Sequence, residues 1–293
     1  MHVSTLNYPT TVEIPTTLAA INKWNESDYA FISGGTILQV NWEAGHDKPN
    51  HLISTEKLIE LKGISEVERN GQYFLQIGAG MSISDCLINP LVQKKAPLIV
   101  AACEKIAAPA IRNRGTIGGN ICSKIGDCIP ALLVLEAQLT FFNGKETYLV
   151  TLKDWLASQK SHSSELLTKV LIPIAAPKTE TYSFFKKIGR RASFTAAIIS
   201  IAGYLEFEEK NIRIIRIAIG GGSHIPTRLI STEREFTRSH SAIDWSRIFK
   251  VIQEDFSSYT DPFISEAYRK KVAANVIVAN MKKNYSNREE GSC

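Results

Sequence analysis

With 293 residues the chain exceeds the ~250–300 at which one hydrophobic core stops growing, so more than one domain is expected. An apolar fraction of 44% and a charged fraction of 22% exclude wholesale disorder. The 34 Lys and Arg outnumber the 29 Asp and Glu by 5, an excess that suits an anionic cofactor or an acidic partner surface and speaks against a dedicated nucleic-acid binder.

Ile14-Pro15-Thr16-Thr17 reads as a helix start, with Leu18, Ile21 and Trp24 spaced along one face. Residues 29–32 read as a buried strand that ends at Ser33-Gly34-Gly35-Thr36. A second strand, 73–77, ends at Gly78-Ala79-Gly80, and Ser82 with Asp85 makes a capping-box start for the helix through Leu87 and Ile88. Pro97 opens a helix to 106, ahead of a glycine-rich loop at 115–120, and residues 130–137 read as buried helix. Residues 138–142 and 146–150 flank Asn143-Gly144, a hairpin signal because both residues tolerate positive φ.

The pattern changes at 175–178, and a domain boundary near 176 is expected. A strand at 182–188 follows, then the apolar stretch 194–207, which Thr195, Ser200 and Gly203 interrupt and which is shorter than the ~18 residues of a membrane span. A polar turn at 208–211 leads into 212–219. Antiparallel strands are expected there, with a bulge at Ile214-Ile215 where alternation breaks. Beyond Gly220 the pattern is helical, ending in a helix over 265–281 and a polar, frayed tail from Asn284.

The cysteines, Cys86, Cys103, Cys122, Cys128 and Cys293, form no C-x-x-C pair, which argues against a zinc site or a plant-type iron–sulfur run. A reduced, cytoplasmic protein is expected, and the N-terminus shows no secretory pattern. The histidines are scattered, and His224 is assigned to a loop without a chemical role.

Two diglycine segments dominate the candidate chemistry: Ser33-Gly34-Gly35-Thr36, and Thr116-Ile117-Gly118-Gly119-Asn120 preceded by Arg112-Asn113-Arg114. Consecutive glycines let backbone N–H groups point into one concavity, a nest suited to a dinucleotide diphosphate. Thr36, Thr116 and Asn120 would add side-chain donors, and Arg112 and Arg114 positive potential. Read singly, either diglycine is equally an ordinary turn. Neither has G-x-G-x-x-G or P-loop spacing, and Ile83 stands where the third glycine after Gly78-Ala79-Gly80 would belong.

The string Ile111-Arg112-Asn113-Arg114-Gly115-Thr116-Ile117-Gly118-Gly119-Asn120, with Asp127 and Pro130-Ala131-Leu132 after it, resembles the signature of the FAD-binding medium subunits of molybdenum hydroxylases. That family includes xanthine dehydrogenase and aerobic carbon monoxide dehydrogenase. The resemblance continues in order through Ser33-Gly34-Gly35-Thr36, Ile77-Gly78-Ala79-Gly80, Phe185-Lys186-Lys187-Ile188-Gly189-Arg190-Arg191, Ala218-Ile219-Gly220-Gly221-Gly222 with Pro226-Thr227-Arg228, and Glu266-Ala267-Tyr268-Arg269. Departures are Ser33 and Ile37 in the first loop, and a stretch from Asn120 to Asp127 that is shorter than the family pattern and lacks its Ala-Ser-Pro.

The resemblance implies an α+β fold. A two-subdomain FAD-binding domain of the PCMH type (1–176, divided near 57/58) would precede a C-terminal domain of antiparallel sheet plus helices (177–285) and a polar tail (286–293). It implies a first FAD loop of Phe31, Ile32, Ser33, Gly34, Gly35, Thr36, Ile37 and Leu38, and a second of Thr116, Ile117, Gly118, Gly119 and Asn120. Ile106 and Leu167 would be apolar wall, Asp127 would accept hydrogen bonds from cofactor hydroxyls, and Lys186 would lie near the flavin. Other readings stay open. Asp127 also suits a cap for the helix near Pro130. Lys187, Arg190 and Arg191 suit a solvated face or a docking surface, and Cys122 and Cys128 suit buried small residues.

The implied function is the FAD-carrying electron-transfer subunit of a cytoplasmic molybdenum hydroxylase, with no catalytic acid–base set and no metal of its own. The molybdenum cofactor would sit on a large molybdopterin subunit and [2Fe-2S] clusters on a small subunit, with NAD or another acceptor taking electrons from FAD. No nucleic acid and no membrane span are expected. The alternatives are a free-standing flavin reductase or oxidase, and a degenerate, non-catalytic assembly subunit.

Overall fold

The computed structural model describes residues 10–21, 28–158, 165–176, 179–191, 196–208, 211–238 and 243–290, with side chains to 285. Three sheets organise it. The first is parallel: β1 (Thr11–Glu13) and β2 (Tyr29–Ile32) flank β3 (His51–Ser54), and α1 (Thr36–Glu43) follows β2 directly. The second is antiparallel, in the order β4 (Ile64–Arg69), β5 (Gln72–Gly78), β8 (Leu166–Pro173), β6 (Gln138–Phe142), β7 (Thr147–Thr151). Between β5 and β6 run short helices: α2 (Ile83–Ile88), α3 (Pro90–Lys95), α4 (Pro97–Glu104), α5 (Pro109–Arg114), α6 (Ile117–Cys122) and α7 (Ile129–Val134); α8 (Leu152–Ala157) follows β7. Proline opens α3, α4 and α5, where its missing N–H costs nothing and its fixed φ is already helical.

The third sheet, β12 (His224–Arg228), β11 (Asn211–Gly221), β10 (Ala197–Glu208), β9 (Glu180–Gly189), is also antiparallel. Its two faces bury against different partners. Phe185, Ala202, Tyr204 and Ala218 join the core built by the first two sheets and the helices α2 to α8. Ile199, Ile201, Leu205, Ile217 and Ile219 pack instead on α9 (Ile230–Arg238), α10 (Trp245–Asp255) and α11 (Glu266–Glu290). β10 therefore lacks the apolar–polar alternation of a half-solvated strand, because it is central in its sheet and covered on both sides. In α11, Ala273, Ala274, Ile277 and Met281 fall on one buried stripe at helical spacing.

The α+β architecture agrees with expectation, as do the strands after 29 and 73, the Ser82–Asp85 capping box and the Asn143-Gly144 hairpin. Five local readings need correction. The helix expected from Thr17 is one 3₁₀ turn, Leu18–Ala20, and Trp24 lies outside the described residues. The segment 115–120 is the start of α6 rather than an open loop. Residues 224–228 form a strand, because Ile225 and Thr227 alternate with buried Pro226. The bulge falls at Arg213, one residue before Ile214. Finally, α11 runs to Glu290 instead of fraying at Asn284, because the Tyr285 ring stands edge-on to Trp245 of α10 at 5.6 Å.

Candidate functional site

β2 delivers the chain into Gly34 and Gly35, and Gly35 turns it into α1 with φ of 71°, a conformation that favours glycine. No side chain caps α1, and the N–H groups of Thr36, Ile37 and Leu38 have no acceptor among the described residues. Three convergent donors at the positive end of an eight-residue helix are suited to an anion. α1 buries none of its residues, and Ile37 and Val40 are 38% and 61% exposed.

The second diglycine works differently. Thr116 N-caps α6 by accepting the Gly119 N–H at 3.0 Å, while the N–H groups of Ile117 and Gly118 donate to Met81 and Ala79 carbonyls, both at 2.9 Å. The N–H of Asn120 closes the first helical bond to Thr116. The N–H groups of residues 117–120 are thus spent internally, as burial of a short helix requires. The Asn120 side chain is also engaged, its Oδ1 accepting from the Cys128 N–H at 3.1 Å. Glycine at 118 is there for close approach: a Cβ would stand 2.7 Å from the Ala79 carbonyl oxygen.

The two segments meet. A Cβ on Gly34 would overlap the carbonyl oxygen of Arg114, and one on Gly115 would stand 3.3 Å from Thr36 Oγ1. The Gly115 carbonyl in turn accepts the Ile83 N–H at 2.8 Å, and Ser82 bridges to Thr116. Segments 33–36, 78–83 and 115–119 therefore stack backbone on backbone. Leu167 is buried on β8 beside Thr168, whose carbonyl takes the Ala79 N–H. Ile106 is half-buried after α4, its carbonyl held by Arg112 Nη1 at 2.9 Å. Arg112 also donates to Ala107, so it braces this turn; Arg114 is exposed.

Asp127 does not cap a helix. The N-cap of α7 is Cys128, without a side-chain bond. The Asp127 carboxylate instead reaches the third sheet, accepting from Lys187 Nζ at 2.7 Å and Ser200 Oγ at 2.6 Å. Lys187 is therefore no solvated lysine: its side chain is 8% exposed and also donates to the Lys105 carbonyl at 3.0 Å. Arg190 lies over the exposed Phe263 ring at 3.9 Å and is itself exposed, as is Arg191, in keeping with the solvated face expected for the basic run. Lys186 points to the other side of β9 and is exposed. Lys187 and Ser200 escaped sequence reasoning. The available signals were period-two alternation, which splits a Lys-Lys pair across a strand, and a lone serine inside a fully apolar run.

Cys103 and Cys128 lie Sγ to Sγ at 3.8 Å in the core, with Cys86 buried nearby, whereas Cys122 is exposed and so is not the buried small residue expected. The Cys103 contact and burial push the Cys128 thiol well above its ordinary range. Among the described residues no three His, Cys, Asp or Glu side chains are grouped to hold a metal. His224 is half-buried on β12, edge-on to Phe256, and desolvation of its ring lowers its pKa. A separate cleft of about 510 Å³ lies between β11 and the loop after α7, where Glu136 pairs with Arg216 and Arg228. None of the candidate cofactor-binding residues lines it. No helix among the described residues is long and apolar enough to cross a membrane.

Comparison with known proteins gives two family matches: "FAD binding domain in molybdopterin dehydrogenase" over residues 5–175 and "CO dehydrogenase flavoprotein C-terminal domain" over 183–283. The chain is 27% identical over 221 residues to a putative xanthine dehydrogenase FAD-binding subunit, XdhB, of Escherichia coli K12, covering 73% of this chain and 74% of that protein. It is 28% identical over 187 residues to the nicotinate dehydrogenase FAD-subunit of Eubacterium barkeri, covering 61% of each. Among solved structures, a chain of carbon monoxide dehydrogenase from Hydrogenophaga pseudoflava superposes with a TM-score of 0.83 at 21% identity, covering 93% of this chain and 96% of that one.

Proposed function

The chain belongs to the family of FAD-binding subunits of molybdopterin dehydrogenases, and from that premise we propose that it holds FAD as the electron outlet of a cytoplasmic, multi-subunit molybdenum hydroxylase. Substrate would be oxidised on a large molybdopterin subunit, with [2Fe-2S] clusters on a small subunit leading to this chain and NAD or another acceptor beyond it. FAD supplies the two-electron to one-electron redox chemistry such a relay needs. We divide the chain into an FAD-binding domain, 1–176 with subdomains meeting near 57/58, and a C-terminal domain, 177–285.

The observation that carries this reading is the unspent N–H triplet of Thr36, Ile37 and Leu38, set where segment 33–36 abuts segment 114–115. A helix N-terminus carries roughly half a positive charge, and these donors would bind the FAD diphosphate. Phe31, Ile32 and Ser33 lead the backbone in, and Gly34 and Gly35 let it approach closely. Thr116, Ile117, Gly118, Gly119 and Asn120 form the opposite wall; with the N–H groups of residues 117–120 spent, they chiefly shape the cradle. Ile106 and Leu167 give apolar lining and Asp127 an acceptor for cofactor hydroxyls; Lys186, expected near the flavin, lies on the face of β9 turned away from Asp127 and is given no place beside the isoalloxazine. A subunit of this kind needs no nucleophile or general base, because its work is to seat and orient a redox group.

The test is to purify the chain with its flavin, denature it and identify what is released. FAD bound in a one-to-one ratio is the expected result. A chain that is colourless and takes up no FAD refutes the proposal, and release of FMN would contradict the diphosphate assignment.

A further inference from the structure

Three elements of the site reading meet one side chain that belongs to neither glycine segment. Lys187 Nζ, on β9, reaches Asp127 Oδ2 at 2.7 Å and the carbonyl of Lys105 at 3.0 Å, one residue before Ile106. Ser200, across from Lys187 in the β9–β10 register, donates to the other carboxylate oxygen at 2.6 Å. Asp127 is joined through Cys128 to Asn120, the last residue of the second glycine segment. One ammonium group of the third sheet therefore fixes both the turn carrying Ile106 and the loop that runs from Asn120 to Asp127.

We propose that Lys187, assisted by Ser200, is a positioning residue for Asp127, so that the FAD site is completed by the C-terminal sheet rather than by the N-terminal part alone. This rests on the FAD reading above. Physically, a carboxylate with each oxygen held by one charge-assisted or hydroxyl donor keeps a second lone pair on each for a cofactor hydroxyl, in one orientation. Held at 17% side-chain exposure, it cannot reorient into bulk water when the cofactor leaves. Binding and docking of the two parts are then linked: FAD binds best to the arrangement in which Lys187 reaches Asp127, and so stabilises that arrangement.

The test uses the full chain stripped of flavin, with FAD affinity read by flavin fluorescence and stability by thermal unfolding. The variants are Lys187→Met, Asp127→Asn, their double, Lys187→Arg and Ser200→Ala. Lys187→Met is expected to weaken FAD about tenfold or more, as loss of a hydrogen bond to a charged group implies. In the Asp127→Asn background the same change should have little further effect on FAD affinity. The double variant strands no buried charge and recovers thermal stability, yet its FAD affinity stays low. Lys187→Arg retains binding. Ser200→Ala, which leaves no charge unpaired, weakens FAD severalfold and keeps the test sound should Lys187→Met fail to fold. If Lys187→Met and Ser200→Ala melt earlier but bind FAD like wild type, the pair is structural only and the inference is overturned. Equal losses from Lys187→Met in both backgrounds, or Asp127→Asn binding like wild type, also overturn it. A wild-type chain that binds no FAD instead removes the FAD reading, and the inference with it.

Discussion

Gly34 is the residue on which the two glycine segments turn. Its α-carbon lies against the Arg114 carbonyl, so Gly34→Ala forces the two backbones apart. Overpacking of this kind costs about 1–3 kcal/mol; chemical denaturation is expected to show that loss, with FAD uptake falling alongside. His224 makes a pH prediction. Burial, chiefly, lowers its pKa below the ordinary 6.5, so the native state prefers the neutral ring. The unfolded chain then binds the extra proton first, and stability is complete above about 6.5 and declines as pH falls through and below that value. His224→Gln should flatten this part of a stability–pH curve, and an unchanged slope would assign it to another group. For the thiols, Cys122 is exposed but burial of its sulfur pushes its pKa up to about 12, so it is expected to react only slowly with a thiol reagent in the native protein, and Cys86, Cys103 and Cys128 only after unfolding.

At the scale of elements, legibility tracked local chemistry. The capping box at Ser82 and Asp85 was readable because both halves lie within four residues, and both bonds are present at 2.9 and 3.0 Å. Ser82→Ala should cost ~1 kcal/mol in unfolding free energy. The hairpin at Asn143-Gly144 was readable for the same reason. α5 and α6 were not, since six-residue helices carry too few turns for a period to emerge. β12 was hidden by Pro226 and by glycines before it, and the end of α11 by its polar composition, although Lys282 and Tyr285 both pack on Trp245 of α10. The second diglycine was legible as a special backbone but not as a helix start, because its role depends on carbonyls of Ala79 and Met81, far earlier in the chain.

At the scale of the whole molecule, the order of family-like motifs along the chain made the architecture readable, whereas the contacts between its parts were invisible. The third sheet has no solvent face to its centre: one side closes on α4 and α7, the other on α9 to α11. Charges span the same seam, with Glu136 meeting Arg216 and Arg228 on one side and Asp127 meeting Lys187 on the other. Alternation alone separates Lys186 from Lys187, but only the fold shows that Lys187 faces the N-terminal part. The measurement that tests the account most directly is a crystal structure of the FAD-loaded chain. It should place the diphosphate on the N–H groups of Thr36, Ile37 and Leu38, beside segment 114–120. A diphosphate lodged instead in the Glu136–Arg216–Arg228 cleft, with α1 untouched, would contradict it.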